Sequence, residues 1–266
     1  MIDIRDLHVT FNPGTPLEKA ALRGVTLAIP EGQFVTVIGS NGAGKSTLLG
    51  ALAGDVAADG GRVAIEGTDV TRWPTPRRAG LVARVFQDPM AGSCADLTIE
   101  ENMALAARRG ARRGFGRAVT HARRAVFAER IATLGLGLET RLEDRMGLLS
   151  GGQRQAVSLL MATLSGSRIL LLDEHTAALD PGTAAFVLDL TRRIVAGNRL
   201  TALMVTHSMR QALEVGDRTV MLHEGRVVLD VAGEERARLD VPHLLELFAR
   251  QRGGTEEISD DRLLIG

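Results

Sequence analysis

Eight residues constrain this chain more than anything else in it: Gly39-Ser40-Asn41-Gly42-Ala43-Gly44-Lys45-Ser46. They fit the pattern G-x-x-x-x-G-K-[ST] in full. They stand between a continuous apolar run, Phe34 to Ile38, and a segment from Lys45 to Ala53 that reads as a helix stopped by Gly54. Strand, glycine-rich loop and helix is the context the pattern needs. Its glycines allow backbone torsions that turn successive N–H groups inward on an anion, and the helix start adds the positive end of its dipole. In such a loop Lys45 reaches the β- and γ-phosphates of a nucleoside triphosphate, the Ser46 hydroxyl ligates magnesium, and Thr47 adds an α-phosphate contact. A glycine-rich loop with a chance lysine is the alternative, and it leaves the flanking strand and helix unexplained. The loop does not say which machine uses the triphosphate.

Around it the chain reads as α/β. Val25, Leu27 and Ile29 alternate with polar or small residues as in a half-buried strand, and Arg62 to Glu66 and Leu81 to Phe86 read as further strands. From about Asp88 the texture turns helical. Thr98-Ile99-Glu100-Glu101 matches a capping box, and Arg123 to Leu134 and Gly151 to Leu164 follow as helices. Alternation then returns: strand at Ile169 to Leu172, helix at Thr183 to Val195, strand at Leu200 to Val205, helix at Ser208 to Val215. A hairpin crosses Glu224-Gly225. The expected segments are 1–87, an α/β core with a β sub-domain; 88–165, an inserted helical sub-domain; 166–235, the second part of the core; and 236–266, one amphipathic helix capped by Asp240, then a polar, mobile tail.

Composition narrows the function class. Acids and bases balance at 32 each, so nucleic acid is not an expected partner. The single cysteine, Cys94, forbids an intrachain disulfide and fits a reducing compartment. The first residues carry acids where a signal peptide needs basic then apolar residues, and no apolar run approaches the roughly 18 residues of a membrane span. Any work at a membrane is expected to be done through a partner's spans. Of 32 basic residues only Lys19 and Lys45 are lysine.

Further motifs follow in order. Gln87 comes just after the apolar strand ending Val85-Phe86. Leu149-Ser150-Gly151-Gly152-Gln153 opens a helix. Ile169-Leu170-Leu171-Leu172 ends in Asp173-Glu174, with Ala178-Leu179-Asp180 beyond, and His207 follows the strand ending Val205-Thr206. Together with the phosphate loop they resemble the Q-loop, signature, Walker B, D-loop and switch-histidine motifs of ABC ATPases, over roughly residues 1 to 235. That resemblance implies a P-loop NTPase (RecA-like) α/β core with an antiparallel β sub-domain and an inserted helical sub-domain.

A carboxylate at the end of a buried apolar strand is costly unless it serves an ion, so Asp173 is assigned to magnesium. Glu174 is placed to act as general base on the attacking water. The bland alternative is that both cap the next turn. His207 is read as a γ-phosphate contact rather than a core histidine, because it follows a strand end where α/β sheets bind ligands. For Gln87 a functional role is expected rather than that of a surface glutamine, and the resemblance implies that its loop joins magnesium and water to the surface that meets a membrane partner. The resemblance further implies a head-to-tail homodimer in which each ATP lies between one chain's Gly39–Thr47 loop and the other's Ser150, Gly151, Gly152 and Gln153, with Asp180 nearby. The adenine usually stacks on an aromatic; here Phe11 is the candidate, and core packing is its equal alternative.

Some features stay open. Where many family members carry proline, this chain has His175, which either tunes hydrogen bonding near the γ-phosphate or is a tolerated loop residue. Arg108, Arg109, Arg112, Arg113, Arg117, Arg123, Arg124 and Arg130 are either solvated helix faces or contacts to anionic headgroups, with nucleic acid third. Met103, Met161, Met204 and Met209 are assigned to packing. Phe11-Asn12-Pro13-Gly14-Thr15, Thr98 to Asn102, Leu105 to Gly110 and the Asp173-to-Pro181 run look like ATP-binding subunits of bacterial uptake systems of the tryptophan/tyrosine type. Those systems pair an extracytoplasmic solute receptor with a separate permease. The expectation is an ATP- and Mg2+-dependent ATPase, cytoplasmic and peripheral on the inner face of the membrane, powering amino-acid or related solute import. A soluble ABC-type ATPase acting on nucleic acid or ribosomes is the alternative.

Overall fold

The computed structural model describes residues 1–111, 114 and 116–251. Two compact units emerge: Met1–Thr75 with Leu200–Gly266, and Pro76–Arg199. Their limits fall elsewhere than the segment limits expected at 87, 165 and 235.

The first unit opens with β1 (Ile2–Phe11), β2 (Lys19–Ile29), β3 (Phe34–Ile38), α1 (Lys45–Ala53), β4 (Gly60–Ile65) and the short β5 (Thr68–Asp69). β2, β1, β4 and β5 form an antiparallel sheet in that order. β1 buries Ile2 and Ile4, then Leu7 and Val9, so its inward face changes phase midway. A bulge causes the change: the register with β2 shifts between Ile4 and Leu7, and Asp6 takes a left-handed φ of 48°.

All five residues of β3 are buried, as expected for a strand with parallel neighbours. Those neighbours are β8 (Thr201–Val205) and β9 (Arg218–His223). β9 turns through Glu224 and Gly225 into antiparallel β10 (Arg226–Ala232). Between β8 and β9 lies α7 (Met209–Glu214).

The expected C-terminal helix forms as α9 (Val241–Gln251), and a short helix that was not expected, α8 (Gly233–Ala237), precedes it. The break between them has a physical cause. Arg236 turns inward to donate to the carbonyls of Ala212, Leu213 and Val215 at the end of α7, so the chain must redirect before α9. Asp240 then accepts the His243 N–H at 2.9 Å and starts α9, whose Leu244 and Phe248 are buried with Met209, Ala212 and Met221. The tail expected to be mobile lies outside the described residues.

The second unit runs through α2 (Thr75–Arg78), β6 (Val82–Val85), α3 (Ile99–Ala107), α4 (His121–Ala132), α5 (Gly151–Thr163), β7 (Ile169–Asp173) and α6 (Pro181–Asn198). β6 and β7 pair in parallel. The Thr98–Glu101 capping box forms as expected. α5 approaches α6 so closely that a Cβ on Gly152 would lie 2.1 Å from Thr183 Cγ2. The four methionines assigned to packing are all buried. Two of the arginines are otherwise engaged, one in ion pairs at the surface and one partly withdrawn from solvent. Arg124 is bound to Glu100 and Glu143, and burial pushes the Arg109 guanidinium below its usual pKa. Arg112 and Arg113 lie outside the described residues.

Candidate active site

In the first unit the phosphate loop leaves the C-terminal end of β3. Gly39 has φ +145°, and a Cβ there would meet the Leu222 carbonyl oxygen at 2.1 Å. Gly44 has φ +101°, with the Ala21 carbonyl oxygen 2.5 Å from its virtual Cβ. Backbone of two neighbouring strands therefore leaves room for no side chain at either end of the loop. Ala43 donates to Ser40 O, and Gly225 donates to Ala43 O, which ties the loop to the β9–β10 hairpin. Lys45 is buried and folds back over the loop, its Nζ donating to Gly39 O at 2.7 Å and Ser40 O at 3.0 Å. No side chain caps α1. Ser46 is exposed and Thr47 half-buried.

His207 shares this end of the sheet. Val37 pairs with Val205 across β3 and β8, and Thr206 donates its N–H to Val37 O, so the loop and the histidine leave adjacent parallel strands on the same side. The turn carrying His207 is braced by Thr206 Oγ1 donating to Gln211 Oε1 and by Ser208 capping α7. Phe11 closes β1 at 40% exposure, so it is not a core residue.

The second unit repeats the arrangement. Val85 pairs with Leu172, so Gln87 beyond β6 and Asp173-Glu174 at the end of β7 also leave adjacent parallel strands on the same side. Gln87 is exposed. Asp173 is buried, and its Oδ2 accepts from Arg84 at 2.5 Å, while that guanidinium lies 4.8 Å over the Phe86 ring. Arg84 was not singled out in the sequence, though an arginine between Ala83 and Val85 in an apolar strand calls for a buried counter-charge. Glu174 adopts a left-handed φ of 45°, a costly conformation for glutamate, and its carbonyl accepts from Ala177. Ser46 and Asp173 are hard oxygen donors. That fits magnesium, which also takes waters and phosphate oxygens.

His175 is fully buried, and its Nε2 lies 2.9 Å from Thr191 Oγ1 on α6. Because Thr191 donates to Val187 O, its oxygen accepts from a neutral Nε2–H. His175 thus pins the Glu174 turn to α6, a role neither sequence reading gave it. Burial pushes its pKa from the usual 6.5 to about 4. Between those values the unfolded chain binds a proton that the folded chain refuses. Stability is therefore full above pH 6.5 and falls as the pH drops through the window, by roughly 3 kcal/mol in all. Urea denaturation at pH 7 and pH 4.5 checks this. His175→Gln should flatten that part of the pH dependence, and an unchanged slope would remove His175 as its source.

Ser150 and Gln153 form a reciprocal capping box at the start of α5, at 3.2 and 3.1 Å. The serine oxygen accepts there and keeps its O–H as a donor. Arg154 braces the preceding loop through Met146 O, Gly147 O and Leu149 O. Gln155 donates to Phe86 O at 3.2 Å, linking the signature helix to the root of the Gln87 loop; its type and position alone gave no hint of this. Asp180 caps α6, and hydrogen bonds from Thr183 hold its carboxyl below the usual carboxylate range.

The family model described as ABC transporter matches residues 22–177. The tyrosine transport ATP-binding protein of Clostridioides difficile (strain R20291) is 41% identical over 250 residues, covering 93% of this chain and 98% of that one. An aliphatic sulfonates import ATP-binding protein of Agrobacterium fabrum is 35% identical over 220 residues, 83% of this chain and 76% of the relative. Among solved structures, a dimeric ATP-binding cassette in a post-hydrolysis state with ADP and Pi superposes with a TM-score of 0.75 at 28% identity, over 87% of this chain and 98% of that one. No described helix is long and apolar enough to cross a membrane. With its phosphate loop, signature helix and Walker B strand in the family's order and on the family's fold, the chain belongs to the ABC transporter family, as an ATP-binding and ATP-hydrolysing subunit.

Proposed function

We propose that two copies of this chain close on two ATP molecules and drive a separate permease that imports an amino acid or a closely related small solute. The observation that carries the cargo class is the 41% identity, over nearly the full length of both chains, to a tyrosine transport subunit. Cytoplasmic placement against the inner membrane face, and a solute receptor on the far side, follow from the same reading.

The residues divide the work. The Gly39–Thr47 loop binds the phosphates, with Lys45 exchanging its Gly39 and Ser40 carbonyls for phosphate oxygens. Ser46, Asp173 and Gln87 are each assigned to magnesium, which would neutralise phosphate charge when bound. Glu174, pinned through His175, takes a proton from the attacking water. His207 donates to the γ-phosphate. Phe11 stacks on adenine. Ser150 to Gln153, with Asp180 close by, meet the γ-phosphate of the partner's ATP through the serine O–H and the helix start. ATP then bridges the two copies, and loss of the γ-phosphate lets them part.

Gentle detergent extraction of native membranes, pulling on this chain, tests the reading. Co-purification of a multi-span permease with an amino-acid receptor is the expected result. Recovery with ribosomes or DNA from the soluble fraction would overturn the transport reading and leave the ATPase intact.

A further inference from the structure

Lys19 sits on β2 directly opposite Phe11 of β1. Residues opposite one another in an antiparallel pair share a face, so the proposed adenine platform and the lysine stem stand side by side, both exposed. From there the ammonium reaches the phosphate loop: a Cβ on Gly42, whose φ is +76°, would lie 3.2 Å from Lys19 Nζ. The Lys19 side chain makes no hydrogen bond or ion pair among the described residues. Acids along the same stretch are otherwise engaged, Glu18 by the Gly14 N–H at 2.6 Å and Asp59 by the Thr10 N–H at 2.5 Å.

The surroundings make this an odd place for a cation. The loop is already positive, from its inward N–H groups and from Lys45. Another ammonium beside it is self-repelling unless an anion lies between them. Composition points the same way. This chain uses arginine almost everywhere, yet its only two lysines, Lys19 and Lys45, both attend this loop. A compact ammonium on a flexible stem can follow a phosphate oxygen without the fixed fork of a guanidinium.

We propose that Lys19 is a second cation of the nucleotide site, contacting the phosphate chain between the base on Phe11 and the Gly39–Thr47 loop. This rests on the assignment of that loop as the phosphate cradle.

Fluorescence titration with ATP, ADP and adenosine, on wild type, Lys19→Ala, Lys19→Gln and Lys45→Ala, tests it. Both Lys19 variants should bind ATP and ADP about 5- to 20-fold more weakly, with adenosine unchanged and with a shallower salt dependence for ATP. If both keep ATP affinity within about two-fold of wild type while Lys45→Ala loses it, Lys19 has no such role and the cradle stands. If Lys45→Ala also binds like wild type, the cradle reading fails and takes this inference with it. Equal losses for adenosine and ATP would likewise overturn it, because they would show that Lys19 supports the base platform and not the phosphates.

Discussion

Glu174→Gln is expected to lower ATP turnover by about 10²- to 10⁴-fold while leaving ATP binding intact, the span a positioned general base supplies. Glutamine matches glutamate in shape, so the left-handed turn at residue 174 and its anchor through His175 to Thr191 should survive. What disappears is the proton acceptor at the end of β7. With chemistry blocked and ATP still bridging two copies, the protein should accumulate as a dimer that light scattering detects when ATP is added. Hydrolysis near the wild-type rate would remove Glu174 from its role. Lost dimer and lost ATP binding together would mean that the side chain serves the fold.

Lys45→Ala is expected to weaken ATP binding on the order of 100-fold, since several charge-assisted bonds to phosphate go at once. Its buried ammonium, held only 2.7 and 3.0 Å from two loop carbonyls, is already positioned for that exchange. Thermal denaturation with and without nucleotide reads the effect. Saturating ATP at about 100 times its Kd should stabilise the wild type by about 2.7 kcal/mol. The variant should show almost no nucleotide-dependent rise, whatever its own melting temperature. An equal rise in both would break the phosphate-cradle assignment.

Elements written in short-range chemistry were legible in the sequence. α1 spans Lys45–Ala53 as expected, because Gly44 and Gly54 both take left-handed backbone at its ends. The Thr98 cap and the Glu224-Gly225 hairpin are equally local. β1 was not placed, because the bulge at Asp6 moves its buried face from Ile2 and Ile4 to Leu7 and Val9, and no single period describes both halves. The Asp240 cap of α9 is local and was legible, whereas α8 was not, because Arg236 reaching the end of α7 depends on a contact with a segment more than 20 residues earlier. The site followed the same division. Contiguous motifs gave its residues, whereas the Arg84–Asp173 pair, the Gln155–Phe86 link and the His175–Thr191 anchor each join distant segments. Only Arg84, a charge inside an apolar strand, leaves a trace along the chain, and it does not name its partner.

The scarcity of lysine has a practical consequence. Amine-directed reagents scatter over most proteins, because lysines cover most surfaces. Here the only side-chain amines belong to Lys19, which is exposed, and Lys45, which is buried, and both lie at one loop. Mild acylation of this protein is therefore chemistry on its nucleotide loop, with the amino terminus as the one competing target. Coupling through amines to a sensor chip would tether the molecule by the loop proposed here to cradle the phosphates, and surface-binding assays on this subunit should be built on its single thiol, Cys94, instead.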